Sequence, residues 1–327
     1  MRTSKELILA TKPFAQEIRY KSWLFTISTL ILLIASLCGT YWNIHLAGRI
    51  ICSVLSGLLL VRMFVIYHDH QHHAILHLSK AANIIMKCFG IYILAPSSIW
   101  KRSHDFHHKH NSKLHVTDIG SFPTITKTEY LKLTKAEKFK YLAMRHPLNI
   151  LFGYLSIFMF SFCINSIIHS SRKHLDCGLA LLIHFGFGTI LFIYGGFTAL
   201  FLTLIIPHLI ACGLGSYLFY VQHNFPGAKF KLLNNWEYSH AAINSTSYFK
   251  MNKVMNWFTG NIGYHHVHHL NSRIPFYRLE ETLTNLPELK ETQTTCFGIK
   301  SMYGCLRLKL WDNDTNQMIG LRELNEK

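Results

Sequence analysis

The chain of 327 residues alternates long uncharged stretches with shorter polar ones. Ser22 to Gly48 contains no Asp, Glu, Lys or Arg, and carries Trp23, Leu24 and Phe25 at one end and Tyr41 and Trp42 at the other. A hydrocarbon layer ~30 Å thick takes roughly 20 apolar residues of helix, with aromatic residues collecting at its interfaces. The stretch therefore predicts a first membrane span. Ile50 to Tyr67 predicts a second, in which Arg62 lies near enough to the end to reach the headgroups. Gly178 to Tyr220 holds 43 residues without a charge, enough for two crossings with a turn at Gly195-Gly196. His146 to Ser171 is uncharged too, but Asn149, Ser156, Ser161, Asn165 and Ser166 make it more polar, and Lys87, Gly90 and Pro96 interrupt Ala81 to Trp100. Both predict segments lying in the interface.

The expected fold is all-α and integral to the membrane, a single domain over residues 1–327. It has four transmembrane helices, at about 23–41, 47–67, 178–195 and 197–221, and two interfacial segments, 81–98 and 147–168. Residues 99–146 and 222–327 form a cytoplasmic, histidine-rich cap, in which the alternation of Leu306 to Trp311 predicts a short strand before Asp312-Asn313-Asp314. Met1 to Lys21 is charged and no small-residue cleavage site follows, so the first span reads as an anchor and not a signal peptide.

Composition sharpens this picture. Half of the residues are apolar and 15% are charged, against about 25% charged in soluble domains. Disordered, collagen-like and mucin-like classes are excluded. The net charge of +16 would point to nucleic acid on a soluble protein, but on a membrane protein it points to anionic lipid and an acidic partner. The eight cysteines form no C-x-x-C pair and read as reduced packing residues. His184 and His208 stand twelve residues either side of Gly196, so a hairpin there sets them at one depth. A hydrogen-bonded buried pair is the reading, with bis-histidine haem ligation the alternative.

The histidines carry the chemistry. Of 22, fourteen fall within residues 68–77, 104–115 and 265–269. His104 with His107 and His108, and His265 with His268 and His269, place three imidazoles on one side of a helix, while His68 and His72 share a face at i, i+4. Surface histidines at a membrane interface are the bland alternative, but two windows repeat the same H-x-x-H-H spacing. Eight convergent imidazoles exceed what one ion uses, so two metals are expected, and iron suits an all-nitrogen shell that activates dioxygen. Asp69 and Asp105 are expected to orient ring N–H groups from behind. His77, His110, His115 and His266 are assigned no metal.

Tyr67-His68-Asp69-His70-Gln71-His72, His104-Asp105-Phe106-His107-His108, Tyr220-Val221-Gln222-His223 and Gly263-Tyr264-His265-His266-Val267-His268-His269 resemble the membrane-bound fatty acid desaturase family with three histidine boxes, particularly its bacterial acyl-lipid type similar to omega-6 (delta-12) enzymes. The resemblance implies iron ligands at His68, His72, His104, His107, His108, His265, His268 and His269. It implies a further ligand outside the boxes, matched by His223 with His240 its competitor. His70 and His73 depart from the pattern and leave His72 and His73 both open as the ligand.

The resemblance implies a di-iron enzyme that uses dioxygen and an external electron donor, of ferredoxin or cytochrome b5 type, to place a cis double bond in a membrane lipid acyl chain. It also implies a multi-pass protein with a cytoplasmic active site, in a bacterial inner membrane. A lipid or carotenoid hydroxylase or ketolase is the alternative chemistry. A histidine-rich metal transporter is more remote, since only His184 and His208 could line a path through the longest apolar run.

Overall fold

The computed structural model describes residues 2–42, 45–114, 116, 122–231 and 236–324; His115 lies outside them. Helices dominate. The first two long ones, α1 (Arg19–Tyr41) and α2 (Leu46–Gln71), are antiparallel: Ser56 Oγ meets Ser36 Oγ at 2.8 Å and Arg62 Nε donates to Thr29 Oγ1 at 3.1 Å. Ile31, Ile34 and Ile51 point outward, which suits a hydrocarbon surrounding. α2 runs past the expected boundary at Tyr67, so His68 emerges from its last turn with His72 capping it.

The expected interfacial segment 81–98 is a bent pair, α3 (Lys80–Tyr92) and α4 (Ser97–His110), turned through 92°. Leu94 adopts φ +59° at the bend. Tyr67 donates to the Ala95 carbonyl at 2.9 Å, and the Cys163 thiol to the Leu94 carbonyl at 3.4 Å. The residue ahead of α4 is Pro96, which offers no side-chain cap. Asp176, far along the chain, takes that role by accepting from Ser98 N at 3.2 Å and Ser98 Oγ at 2.5 Å. Exposed N–H groups at a helix start need such an acceptor.

Next come a short helix, α5 (Pro147–Leu151), and α6 (Tyr154–Lys173), part of it π-helical. The run Leu175–His223 has 49 residues, about 70 Å if straight and more than twice a bilayer core. It breaks at Gly196, whose φ of +65° is open to glycine at no steric cost, giving α7 (Leu175–Leu200) and, after a π-helical turn, α8 (Ile206–His223). The His184 and His208 rings lie 5.1 Å apart, so the run is a hairpin. Tyr154 Oη meets His184 Nε2 at 2.5 Å, and His208 faces the Leu204 and Tyr92 carbonyls at 2.8 and 3.1 Å. The pair is thus buried and hydrogen-bonded within the protein.

Thr40 meets Thr203 at 2.6 Å and Tyr41 donates to the Tyr194 carbonyl at 3.2 Å, which sets the hairpin tip beside the far end of α1. α2 and α8 therefore run parallel, both ending at histidines. Among the described residues, four helical runs are long and apolar enough to cross a membrane: α1, α2, α6 and the run 175–223. α6 meets the length criterion although the sequence reading lays 147–168 in the interface. Its flanks are tied to one end of the bundle, by Arg145 to Asn224 at 2.5 Å and by Asp176 to Ser98.

The remaining described residues form the cap with the box-three helix α9 (His265–Leu270). It includes two small sheets, one of parallel strands β1 (Tyr248–Lys250) and β2 (Thr294–Cys296), the other of antiparallel β3 (Leu308–Asp312) and β4 (Gln317–Gly320). The expected strand begins two residues late, because Leu306 and Arg307 close the helix Ile299–Arg307. All eight cysteines are free.

A Cβ at Gly213 would stand 2.6 Å from the Leu151 carbonyl oxygen. Gly213→Ala should push α5 off α8 and cost about 1–3 kcal/mol, read as a lower melting temperature of the purified protein in detergent. An unchanged melting temperature would refute this close packing.

Candidate metal centre

Nine imidazoles gather in two groups. His68, His72, His104, His108 and His268 form one, and His107, His223, His265 and His269 the other, with the ligand nitrogens of each group all within 4.8 Å of one another. In the first, Nε2 to Nε2 distances are 2.9 Å for His68–His104, 3.0 Å for His104–His108 and 3.0 Å for His108–His268. In the second they are 3.0 Å for His107–His223, 3.3 Å for His107–His269 and 3.1 Å for His223–His265.

The division follows from helix geometry. Residues i and i+4 lie about 40° apart around a helix and i+3 falls about 60° to the other side. On α4 the i, i+4 pair His104 and His108 serves the first group and His107 the second. On α9 the pair His265 and His269 serves the second group and His268 the first. The groups touch where the His108 and His269 rings stack at 4.2 Å.

Burial holds His104, His107, His108, His265, His268 and His269 well below the ordinary imidazole pKa, and neighbouring imidazoles push the same way. These rings are neutral at pH 7, the form that ligates metal. A neutral imidazole carries one N–H, and the buried His72 Nε2 has no hydrogen-bond partner. Inward-facing nitrogens at such spacing satisfy one another poorly and suit a cation well. Both groups could hold a metal ion, and the donor set is all imidazole, which suits iron, copper, zinc or nickel.

Asp69 Oδ1 lies 3.0 Å from His68 Nδ1, and its Oδ2 accepts from Phe276 N at 2.6 Å. Asp105 is placed differently from the expectation: its carboxylate pairs with Lys101 Nζ at 2.8 Å and is about 38% exposed, and Lys101 also donates to the Gln71 carbonyl. His72 joins the first group, whereas His73 turns away with φ +59° and faces His77 at 3.1 Å. His223 is in the second group and His240 in neither. Trp100, stacked on His104 at 4.6 Å and 17°, was not singled out from sequence; its i, i+4 spacing to His104 was the available signal. Arg145, fully buried beside the second group, gave none beyond a lone charge ahead of an apolar run.

Beneath the imidazoles lies a cavity of about 120 Å³. Val61, Phe64, Trp100, Ile157, Phe158 and Phe219 wall it, while His68, His104, His107 and His265 edge it from both groups.

An all-α membrane fold with two imidazole groups over an apolar cavity, each group able to hold a metal ion, defines a class of histidine-rich membrane proteins. The sequence profile of the fatty acid desaturase family matches residues 44–298, and the chain belongs to that family. It is an oxidoreductase. It is 30% identical over 273 residues to a fatty acid desaturase of Bacillus subtilis (strain 168), covering 83% of this chain and 77% of that one. It is 24% identical over 297 residues to an sn-1 oleoyl-lipid 12-desaturase of Anabaena variabilis, covering 84% and 78%. A delta(12) acyl-lipid conjugase (11E,13E-forming) of Impatiens balsamina is 24% identical over 262 residues, covering 69% and 63%.

Asp69→Ala leaves the His68 and Phe276 N–H groups without their buried acceptor and should cost about 1–3 kcal/mol, with Asp69→Asn recovering part of it. Thermal unfolding of the three proteins checks this, and wild-type stability in Asp69→Ala would show that the carboxylate holds neither group.

Proposed function

We propose that this chain is a di-iron, dioxygen-dependent acyl-lipid desaturase that places a cis double bond in a membrane lipid acyl chain. The observation that carries the reading is the cavity: it is walled by apolar side chains and edged by imidazoles of both groups. The residue types fit a long methylene chain, which has no polar group to bind and is recognised by shape and apolar contact. Two relatives bear names of acyl-lipid enzymes, which supports a lipid-borne acyl substrate.

His68, His72, His104, His108 and His268 would hold one iron, and His107, His223, His265 and His269 the other. Bound there, the irons supply dioxygen activation: R–CH2–CH2–R′, O2, two electrons and two protons become R–CH=CH–R′ and two waters. The chain's own part is placement. Asp69 fixes the His68 ring through Nδ1, and Trp100 keeps His104 from rotating. Phe64, Phe158 and Phe219 exclude water from the space beside the imidazoles and restrict an entering chain to one line. Electrons come from outside, through a ferredoxin or cytochrome b5 type donor, and the net charge of +16 suits an acidic one.

The topology belongs to the same proposal. The chain leaves the histidine end of the bundle at Arg145 and is tied to it again at Asp176, so 147–168 takes an interfacial course. Spans at about 23–41, 47–67, 178–195 and 197–221 then bring all three boxes to the cytoplasmic face, in a bacterial inner membrane.

Expressed in a host lacking polyunsaturated lipids, the wild type should yield a new double bond, located by mass spectrometry, and the purified protein should carry two irons. His107→Ala, His108→Ala, His268→Ala and His269→Ala should each abolish the product and lower the iron content with insertion unchanged. Retained product in two of them, or an added oxygen in place of a double bond, would refute the reading.

A further inference from the structure

Among the described residues, a third cluster of metal-ligating side chains stands apart from the two imidazole groups. His174, Asp176 and Cys177 bring ligand atoms that all lie within 4.8 Å of one another. The local sequence makes the cluster. His174 precedes the first turn of α7, and the Cys177 N–H donates to the His174 carbonyl at 3.1 Å, so these i and i+3 side chains share a face, with Asp176 beside them. His174 and Cys177 are buried and Asp176 half-buried. The donors are nitrogen, oxygen and sulfur, unlike the all-imidazole groups.

The three side chains converge on the Ser98 hydroxyl at the start of α4. Ser98 Oγ lies 2.9 Å from His174 Nδ1 and 2.5 Å from Asp176 Oδ1, and it also hydrogen-bonds Cys177. A hydroxyl has one hydrogen to give, so it serves acceptors one at a time, whereas a cation serves them together. Asp176 can take part without giving up its cap, because Oδ2 accepts from Ser98 N and Oδ1 is left for a metal. The Cys163 thiol on α6 hydrogen-bonds Cys177, support of the kind that steadies a ligand. The Asp176 carboxylate and a Cys177 thiolate together match the charge of a divalent ion. Ser98 also lines an open groove with Ser97 and Lys101, which gives an ion access from outside, and Lys101 is already paired with Asp105.

We propose that His174, Asp176 and Cys177 bind a zinc ion, with the Ser98 hydroxyl or a water completing a tetrahedron. Zinc takes nitrogen, oxygen and sulfur donors at about 2.0–2.3 Å in that geometry, which sets ligand atoms ~3.5 Å apart, so the side chains have only to draw in by about 1 Å. The sulfur decides the class of metal, since magnesium and calcium take oxygen. A cysteine that the sequence reading treats as packing thus becomes a ligand. The ion ties the start of α7 to the first turn of α4, six residues before His104, and so braces the bend that aims the second histidine box. The site goes beyond the desaturase reading and does not depend on it.

The test uses full-length protein purified in detergent with a non-thiol reductant and titrated with cobalt(II), which occupies zinc sites and reports sulfur ligation. Wild type should develop a near-ultraviolet thiolate-to-cobalt charge-transfer band that saturates at one thiolate-bound metal per chain and is erased by zinc; imidazole ligation gives no such band. X-ray absorption at the zinc edge should show one sulfur at about 2.3 Å. Cys177→Ala should abolish the band. His174→Gln should keep it but weaken cobalt binding by well over about tenfold, since even an outer partner of a ligand is worth that much. Should Cys177→Ala fail to fold, His174→Gln decides the matter. No band in wild type, a band that survives Cys177→Ala, or undiminished affinity in His174→Gln would overturn the site and leave the desaturase reading standing.

Discussion

The structure depends on setting two short helical turns, each bearing His-x-x-His-His, against each other at the end of a membrane bundle. Each turn gives its i, i+4 pair to one imidazole group and its i+3 ring to the other, so neither group is complete without both turns. A rotation of either by a fraction of a turn would draw ligands out of both groups at once. The protein accordingly spends contacts on orientation. The α4 turn is aimed by the 92° bend ahead of it, pinned by Tyr67, Cys163 and the Asp176 carboxylate from three other helices. The α9 turn is aimed from its flanks, where Gln222 donates to the Ile262 carbonyl at 2.8 Å and Asp69 accepts from Phe276 N.

Polar groups this deep are tolerated only with partners, and the same partners serve as ties between membrane and cap. Arg62, 4% exposed in α2, has no acid beside it among the described residues. It bonds Thr29 on α1 and the Trp257 carbonyl in the cap, and its guanidinium sits 4.2 Å from the Trp257 ring centre between Phe25 and Phe276. One side chain thus joins both first helices to the segment leading into box three. An arginine that the sequence allows to reach for headgroups is instead enclosed by aromatic faces, which a weakly hydrated guanidinium accepts.

What was legible in the sequence is what local physics dictates. The bilayer demands length, so Ser22–Gly48 and the run around Gly196 announced themselves; helix period put His104, His107 and His108 on one side. Gly196 was readable as the turn because a glycine pair sits midway along a run too long for one crossing. The division of each box between two groups was also latent in the spacing, since 40° one way and 60° the other leave i+3 apart from i and i+4. What was not legible is non-local. Asp176 caps a helix some eighty residues earlier, Arg145 reaches Asn224, and Asp105 prefers Lys101 within its own helix. No periodicity marks such partners. α6 was ambiguous for a related reason: composition measures its fitness to cross, whereas the tethers at its two flanks, Arg145 to Asn224 and Asp176 to Ser98, are non-local.

The parallel course of α2 and α8 joins ligation to substrate space. Both helices end in imidazoles of the two groups, and both wall the cavity on their way there, α2 through Val61, Phe64 and Val65 and α8 through Gly215 and Phe219. Val61 lies seven residues before His68, about 10 Å below it at 1.5 Å per residue. Gly215 lies eight before His223 and presents open space where a Cβ would stand. Because wall and ligands are rows of the same helices, the distance from the floor of the cavity to the imidazoles is fixed by helix rise and does not depend on loop conformation. On the desaturase reading proposed above, an acyl chain filling the cavity would be met by the imidazoles at a set depth, and the side chains one to two turns below the ligands would choose the methylene pair at that depth.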